Sequence, residues 1–229
     1  MTTSQLRLDP VVGSGDITPG ARFLVVLDVD STLINDEVIE LVADYAGVRD
    51  RVAEVTERAM RGELDFAGSL RERVALLRGV TLSEIAKVRE RITVTPGVPE
   101  MVRAVHERGG RVAAVSGGFH EVLDELARDL QLDLWRANRF AADEHGVLNG
   151  EVEGTIIGKQ QKLLTLRSWA NSLGVPAQRT IAVGDGANDL GMMSVAGLSV
   201  AFDAKPVVRE QASISMPDRD LSQLIPLLP

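Results

Sequence analysis

Three short segments of the chain combine acidic, hydroxyl and glycine residues directly after apolar runs. The first segment reads Asp28-Val-Asp30-Ser-Thr32 and follows the apolar run Phe23–Leu27. The other two read Ser116-Gly-Gly118 and Gly184-Asp-Gly-Ala-Asn-Asp189, and each follows a run rich in valine and alanine. Ligands bind beyond the carboxyl ends of the strands in an open parallel sheet. We therefore expect the three segments to form one site.

The first and third segments indicate a metal site. Asp28 and Asp30 are close carboxylates at a strand end, so a cation or a shared proton is expected between them. A third carboxylate from Asp185 would complete an oxygen-rich site that suits Mg²⁺. Taken alone, the aspartate pair also fits a turn with helix-capping residues. The sequence has no Cys. Its three His lack metal-ligand spacing, and we expect these histidines to be structural or solvated.

The second segment is suited to an anion. A hydroxyl and backbone N–H groups at Ser116-Gly-Gly118 would form a phosphate cradle if a helix begins there, although an N-cap with a flexible turn is the simpler alternative. The third segment is too acidic to cradle a phosphate and fits a metal loop in which Asp185 ligates, or a plain glycine turn. Lys162 by itself is a typical surface lysine, but a site crowded with carboxylates and phosphate needs a cation.

The elements that must position these segments alternate between strands and helices. This order predicts an α/β fold with a doubly wound parallel sheet. The predicted strands cover 23–27, 111–115, 180–184 and 198–202, with a strand and hairpin over 133–154 and turn signals at Glu144-His-Gly146 and Asn149-Gly150. A helix is predicted from about Lys159 to Leu173, and Met192, Met193, Trp135 and Trp169 are expected to be packing residues.

One stretch, residues 35–95, breaks the alternation because its apolar residues recur only at helical spacing. We predict that it is a helical cap inserted into a core made of residues 21–34 and 96–229. Residues 1–20, rich in Gly, Pro, Ser and Thr, are predicted to form a loose arm.

Composition excludes some classes of partner. The 229 residues include 25 Lys plus Arg and 33 Asp plus Glu, for a net charge of −8, which argues against binding to nucleic acid or anionic lipid. The longest wholly apolar run, Phe23–Leu27, is far shorter than the roughly 18 residues that span a bilayer. The N-terminus lacks the apolar centre of a secretory signal. We therefore expect a cytoplasmic protein with a small anionic ligand and no membrane contact.

Taken together, the motifs resemble the haloacid dehalogenase superfamily of aspartyl phosphotransferases over most of the chain after residue 20. That family's pattern is Asp-x-Asp-x-Thr, a Ser or Thr after the second strand, a Lys, and an acidic Gly-Asp-x-x-x-Asp loop. The chain supplies these parts in the same order, at Asp28–Thr32, Ser116, Lys162 and Gly184–Asp189. Further stretches are similar to the branch of the superfamily that hydrolyses O-phosphoserine in the last step of serine biosynthesis: 28–37, 59–74, 115–119 and 137–139.

The resemblance implies a role for each matching residue. Asp28 would be the nucleophile that forms an aspartyl phosphate, and Asp30 the general acid and base. Mg²⁺ would bind Asp28, the backbone carbonyl of Asp30 and Asp185, with Asp189 orienting these ligands. Lys162 would add a second positive charge, although Lys159 lies close enough in sequence to compete for this role. The implied substrate-binding residues are Glu37, Met60, Phe66, Arg73, Ser116, Gly117, Gly118 and Asn188, of which Glu37 and Arg73 would recognise the amino acid portion.

Two alternatives remain open at the level of the sequence. The chain could act on another small phosphate ester, such as phosphohomoserine. It could also be a non-catalytic receiver module phosphorylated on Asp28, since receivers use clustered aspartates and a lysine on a parallel sheet. Receivers are about half this length, however, and lack a helical insertion after the nucleophile.

Overall fold

The apolar runs pair into one seven-stranded sheet in the computed structural model, which describes residues 20–229 apart from the side chain of Met60. The strands are β1 (Leu24–Leu27), β2 (Arg111–Phe119), β3 (Leu134–Ala142), β4 (Leu148–Glu153), β5 (Thr180–Gly184), β6 (Leu198–Phe202) and β7 (Ile214–Met216). Their order is β4-β3-β2-β1-β5-β6-β7, and every pair is parallel except β3 with β4. The predicted α/β class is thus confirmed. The arm predicted for residues 1–20 lies outside the described residues, except for Gly20.

Apolar cores cover both faces of the sheet. β1 is wholly buried, and its residues alternate: Val25 and Leu27 pack into one core, whereas Leu24 and Val26 pack into the other. A strand in the middle of a sheet covered on both faces is expected to be continuously apolar, as this one is. A doubly wound sheet requires an apolar core on each of its faces, and these two cores meet that requirement.

The helices are α1 (Val38–Tyr45), α2 (Arg49–Met60), α3 (Phe66–Ala75), α4 (Leu82–Val88), α5 (Val98–Glu107), α6 (His120–Asp129), α7 (Lys159–Leu173), α8 (Leu190–Met193) and α9 (Pro206–Arg209). The first four, with a 3-10 turn at Arg89–Arg91, occupy residues 35–95, which we call the helical segment. Its two ends meet at an isolated bridge between Ile34 and Val94. The division into core and cap stays a prediction. Within residues 20–229, every helix is too short or too polar to cross a membrane.

Two details differ from the sequence-based expectation. The strand predicted to end at Val115 continues to Phe119, and α6 begins only at His120, so the helix start that a phosphate cradle at Ser116 would require is not present there. The reason is long-range: Val115 pairs with Arg136 and Phe119 pairs with Asn138, and the register shifts between them. Residues 116–118 therefore leave the ladder without ending the strand.

The second difference concerns the hairpin of β3 and β4. Its turn includes Gly146, which has φ +74°, as the Glu144-His-Gly146 signal predicts. Asn149-Gly150 is not a turn but lies inside β4, where the register shifts between Ala141 and Ala142. Gly150 has φ +84°, so the dipeptide that favours a turn here forms a bulge instead.

Residues that were expected to have no chemical role are buried, pair with an acidic residue or face solvent. Met192, Met193, Trp135 and Trp169 are all buried. His106 and His120 contact Asp133 and Asp124, respectively, whereas His145 is exposed.

Candidate active site

Asp28 follows directly on β1 at the carboxyl edge of the sheet and is almost fully buried. Its backbone N–H donates to the Val183 carbonyl at 2.9 Å, which extends the pairing of β1 with β5 by one residue. Its Oδ1 accepts a hydrogen bond from the Val29 N–H and lies 2.7 Å from Lys162 Nζ. Because both contacts use Oδ1, Oδ2 is the oxygen that they leave available for a reacting group.

Asp30 lies in a wide turn, Val29–Leu33, that the sequence did not predict: the Ile34 N–H donates to the Val29 carbonyl at 3.0 Å, and the backbone at Asp30 and Ser31 is not helical. The turn reverses at Ser31, which has φ +56°, a left-handed conformation that is uncommon for a residue with a side chain. The Asp30 carboxylate accepts a hydrogen bond from the Val38 N–H at 3.0 Å. Burial, with the nearby charges of Glu37 and Asp28, raises the pKa of Asp30 well above its ordinary value. A carboxyl group in this state can hold and donate a proton.

Lys162, on the first turns of α7, is completely buried between two carboxylates. Its Nζ lies 2.7 Å from an oxygen of Asp28 and 2.7 Å from an oxygen of Asp189. Burial alone would lower the pKa of Lys162, but the two carboxylates more than reverse this effect and raise it, so the ammonium stays charged. Lys159, the other candidate, is exposed and lines the cavity described below.

Asp189 is fixed from both sides. Its Oδ1 accepts from Lys162, and its Oδ2 accepts from the Gly186 N–H at 3.0 Å. The backbone of Gly184 lies so close that a Cβ there would fall 2.4 Å from the Asp189 carboxyl carbon, which only glycine permits. With both oxygens engaged, Asp189 is arranged to orient its neighbours rather than to contact a ligand itself.

Carboxylate oxygens of Asp28, Asp185 and Asp189 lie within 4.8 Å of one another. Burial, and next the charge of Asp28, raise the pKa of Asp185 to about 6. Thr32 donates a long hydrogen bond of 3.5 Å to Asp185 Oδ1. Three carboxylates cluster beside the buried cation Lys162, so the cluster can hold a metal ion, and its all-oxygen donor set suits a hard divalent cation.

The Ser116–Gly118 segment closes the site from β2. Ser116 is buried, and its Oγ accepts the Gly118 N–H at 2.7 Å, so that N–H is occupied and the Ser116 hydroxyl proton remains to be donated. A Cβ on Gly117 would lie 2.9 Å from the ring of Phe66, and one on Gly118 would lie 2.8 Å from Asp30 Oδ2. A side chain at either position would therefore displace Phe66 or Asp30 from its place in the site.

A cavity of about 660 Å³ lies between these loops and the helical segment. Most of the residues singled out in the sequence line it: Asp28, Asp30, Glu37, Phe66, Arg73, Gly117, Gly118, Asp185 and Asn188. Ser116, Lys162 and Asp189 are buried residues outside this lining. The expected contribution of the Met60 side chain lies outside what the structure describes.

Two side chains of opposite charge, Glu37 and Arg73, line this cavity from the helical segment. Glu37 immediately precedes α1, and its Oε1 accepts a hydrogen bond from the Ser31 hydroxyl at 2.9 Å. Arg73 lies on α3, where its Nε donates to the Ser69 carbonyl at 3.3 Å. Glu37 and Arg73 therefore offer a ligand partners of opposite charge in the cavity that contains Asp28.

Sequence reasoning gave no role to Glu40 or Lys205, and it named Asn138 only within the similar stretch 137–139, without a role. Glu40 and Lys205 also line the cavity, and the Lys205 N–H donates to the Asp185 carbonyl at 3.1 Å. Lys205 could have been found from its place after the end of β6. Asn138 is buried, donates to the Gly117 carbonyl and accepts from the Ile157 N–H, both at 2.8 Å. No local pattern predicts these two bonds, since they join distant segments.

The sequence profile of the haloacid dehalogenase-like hydrolase family matches residues 25–194, and the chain belongs to this family. The chain is 48% identical over 205 residues to a phosphoserine phosphatase of Streptococcus thermophilus, covering 90% of this chain and 95% of that one. It is 51% identical over 207 residues to a phosphoserine phosphatase of Streptomyces coelicolor, of which it spans half the length.

Solved structures give the same picture. A phospho-aspartyl intermediate analogue of phosphoserine phosphatase superposes with a TM-score of 0.85 at 40% identity, covering 92% of this chain and all of the other. A substrate-bound phosphoserine phosphatase complex has a TM-score of 0.85 at 39% identity, covering 92% of this chain and all of that one. Membership of a hydrolase family favours an enzyme over the receiver module considered above.

Proposed function

We propose that this chain hydrolyses O-phosphoserine to serine and inorganic phosphate through an aspartyl phosphate on Asp28. The observation that carries the proposal is that Glu37 and Arg73 line the cavity that contains Asp28. O-Phosphoserine has three charged groups, and each has a partner of suitable chemistry here: the ammonium faces Glu37, the carboxylate faces Arg73, and the phosphate faces Asp28. The relatives named phosphoserine phosphatase support the same assignment.

The first chemical step is attack of Asp28 on phosphorus. A bond forms between a carboxylate oxygen of Asp28 and phosphorus while the bond from phosphorus to the seryl oxygen breaks. Asp30, whose raised pKa favours the protonated form, donates its proton to the departing seryl oxygen. Serine leaves with that proton, and the phosphoryl group stays on Asp28.

The second step returns Asp28 to its starting state. Asp30, now a carboxylate, accepts a proton from a water molecule as the water oxygen bonds to phosphorus. The bond from phosphorus to Asp28 breaks, and inorganic phosphate is released. One carboxyl group thus serves as acid in the first step and as base in the second.

Positive charge is needed beside Asp28 because a carboxylate and a dianionic phosphate repel each other. Lys162 supplies one such charge at 2.7 Å. We propose that Mg²⁺ is held by Asp28, the Asp30 backbone carbonyl and Asp185, with Asp189 orienting the ligands. When bound, Mg²⁺ supplies a second positive charge that offsets this repulsion.

The remaining candidates would surround the substrate. Ser116, Gly117 and Asn188 would contact the phosphate, with the Gly118 N–H orienting the Ser116 hydroxyl at this substrate-binding segment, and Met60 and Phe66 would cover it from the helical segment. We propose that this segment acts as a cap that excludes bulk water during turnover. Since phosphorylated amino acids are metabolites, a cytoplasmic location is part of the proposal.

The test is phosphate release from a panel of small esters, with Mg²⁺ and with excess chelator. The panel contains O-phosphoserine, phosphohomoserine, phosphoethanolamine and p-nitrophenyl phosphate. We expect the highest kcat/KM for O-phosphoserine and no turnover in chelator. A preference for another ester would overturn the substrate assignment, and full activity in chelator would overturn the role of the metal.

A further inference from the structure

Arg219, close to the end of the chain, contacts two separate parts of the molecule, the connection that follows β1 and the residue that follows β6. Its Nη2 donates to the Ser31 carbonyl at 3.1 Å, and its Nε donates to Asn35 Oδ1 at 3.2 Å. Its Nη1 lies 3.0 Å from Asp203 Oδ2. The planar guanidinium can serve three acceptors at once because its donors point in fixed directions, which lysine cannot imitate.

Two of these contacts fall on residues with unfavourable backbone conformations. Ser31 has φ +56° and Asp203 has φ +41°, and both belong to the few residues other than glycine with positive φ in the described part of the chain. Such conformations cost on the order of 1–3 kcal/mol and persist only where surrounding contacts enforce them. Arg219 provides such a contact to both.

The arginine is itself held in place. The neighbouring Leu221 is fully buried, and its N–H donates to the Pro96 carbonyl at 2.8 Å. Asp220 accepts a hydrogen bond from the Ser222 N–H at 2.8 Å. Pro96 lies just beyond one end of the helical segment, and Asn35 lies at its other end. Arg219 and Leu221 therefore contact the chain at both ends of the helical segment.

We propose that Arg219 is a positioning residue that holds the turn carrying Asp30 and Ser31 in its working conformation. Ser31 joins Asp30 to the rest of the turn, and its hydroxyl holds Glu37. Loss of the bond to the Ser31 carbonyl would let both the Asp30 carboxyl and the Glu37 carboxylate move. The inference rests on the proposed function, in which Asp30 is the acid and base and Glu37 is the partner of the substrate ammonium.

The first experiment does not depend on activity. Hydrogen exchange followed by mass spectrometry compares wild type with Arg219→Ala, Arg219→Lys and the matched control Arg209→Ala, an exposed arginine on α9. In Arg219→Ala, we expect amides of residues 29–38 to exchange at least about tenfold faster. Peptides from β2 and β5 should keep wild-type rates, and Arg219→Lys should fall between. Unchanged exchange at 29–38, or equal acceleration everywhere, would overturn the proposal.

The second experiment separates positioning from loss of folded enzyme. A misplaced acid should lower kcat of Arg219→Ala by about 10- to 100-fold. A misplaced Glu37 should raise KM for O-phosphoserine but not for p-nitrophenyl phosphate, which has no ammonium group. A mere loss of folded enzyme would lower kcat for both substrates with unchanged KM and would refute the idea. If wild type did not hydrolyse O-phosphoserine, the proposed function would fail while the exchange experiment still decided the role of Arg219.

Discussion

Lys162 and Asp28 form a direct ion pair, with 2.7 Å between Nζ and Oδ1, at a point where neither side chain has appreciable contact with water. The pair joins the first turns of α7 to the residue that follows β1. Removing one partner of a buried charge pair destabilises the fold, because the other charge is left buried without compensation. This relationship connects the stability of the fold to the chemistry of its site.

Replacement of Lys162 should therefore affect both properties. Lys162→Met leaves Asp28 and Asp189 without their cation, so we expect the free energy of unfolding to fall by about 3–5 kcal/mol. Phosphate release should fall by at least about 100-fold. The matched control is Lys159→Met on the same helix, which should change stability by less than about 0.5 kcal/mol. Urea unfolding and phosphate release measure the two effects, and a larger loss of activity in Lys159→Met would exchange the roles of the two lysines.

The covalent step predicts a phosphorylated enzyme. During turnover of O-phosphoserine, borohydride should reduce the acyl phosphate, and peptide mass mapping should place the reduced residue at position 28. Asp28→Asn should give no labelled peptide and no turnover, because an amide is a poor nucleophile. A label on Asp30 or Asp185 would contradict the assignment of the nucleophile.

Glu37 and Arg73 should allow the enzyme to discriminate among substrates. Hydrogen bonds to charged groups contribute roughly 1.5–3 kcal/mol, or about 10- to 150-fold in rate. Arg73→Ala should lower kcat/KM for O-phosphoserine by at least about tenfold but have far less effect on phosphoethanolamine, which lacks the carboxylate. Glu37→Gln should impair both and spare p-nitrophenyl phosphate. Equal effects of Arg73→Ala on O-phosphoserine and phosphoethanolamine would remove Arg73 from substrate recognition.

Metal affinity should depend on pH through Asp185. Burial and Asp28 raise the pKa of Asp185 to about 6 in the metal-free site. Protons compete with a metal for this carboxylate, so Mg²⁺ affinity should be about tenfold weaker at pH 5 than at pH 7 and should level off above that. Calorimetric titration with Mg²⁺ over this range measures the effect, with Asp185→Asn as the control that should bind weakly at every pH. Equal affinity of wild type at pH 5 and pH 7 would contradict the prediction.

Acid stability should depend on Asp124, which lies on α6. The Ala137 N–H donates to His120 Nε2 at 3.1 Å, which leaves Nδ1 to donate to Asp124 Oδ1 at 2.6 Å. Although burial alone would raise the pKa of Asp124, the hydrogen bonds from His120 and Trp135 keep it below its ordinary value.

A lowered carboxyl pKa stabilises the fold above the unfolded pKa of about 3.9, and this contribution is lost as pH falls through the folded value. Asp124→Asn should therefore lower the free energy of unfolding by about 1 kcal/mol at pH 7. The difference from wild type should shrink between pH 5 and pH 3. Urea unfolding across this range, with exposed Glu107→Gln as control, is the measurement; a constant difference would contradict the assignment.

Much of the framework was predictable from local sequence patterns. The continuous apolar run of β1 and the spacing of α7 predicted a covered parallel strand and a helix, because period and polarity depend on which face each residue presents. The Asp28–Thr32 and Gly184–Asp189 segments were placed at one edge for the same reason, since parallel strands bring their carboxyl ends together. The aspartates of the candidate site could thus be named without any coordinates.

Tertiary structure alone decided which groups meet. The spacing to Asp185 favours Lys162 over Lys159, but only the packing of α7 against α8 and β2 shows that Lys162 is buried between two carboxylates while Lys159 stays exposed. The left-handed Ser31, the extension of β2 to Phe119 and the reach of Arg219 to Asn35 also depend on contacts between segments far apart in the chain. Local propensity cannot encode such contacts, because their free energy comes from the partner that folding brings within hydrogen-bond distance and not from the residue's own neighbours.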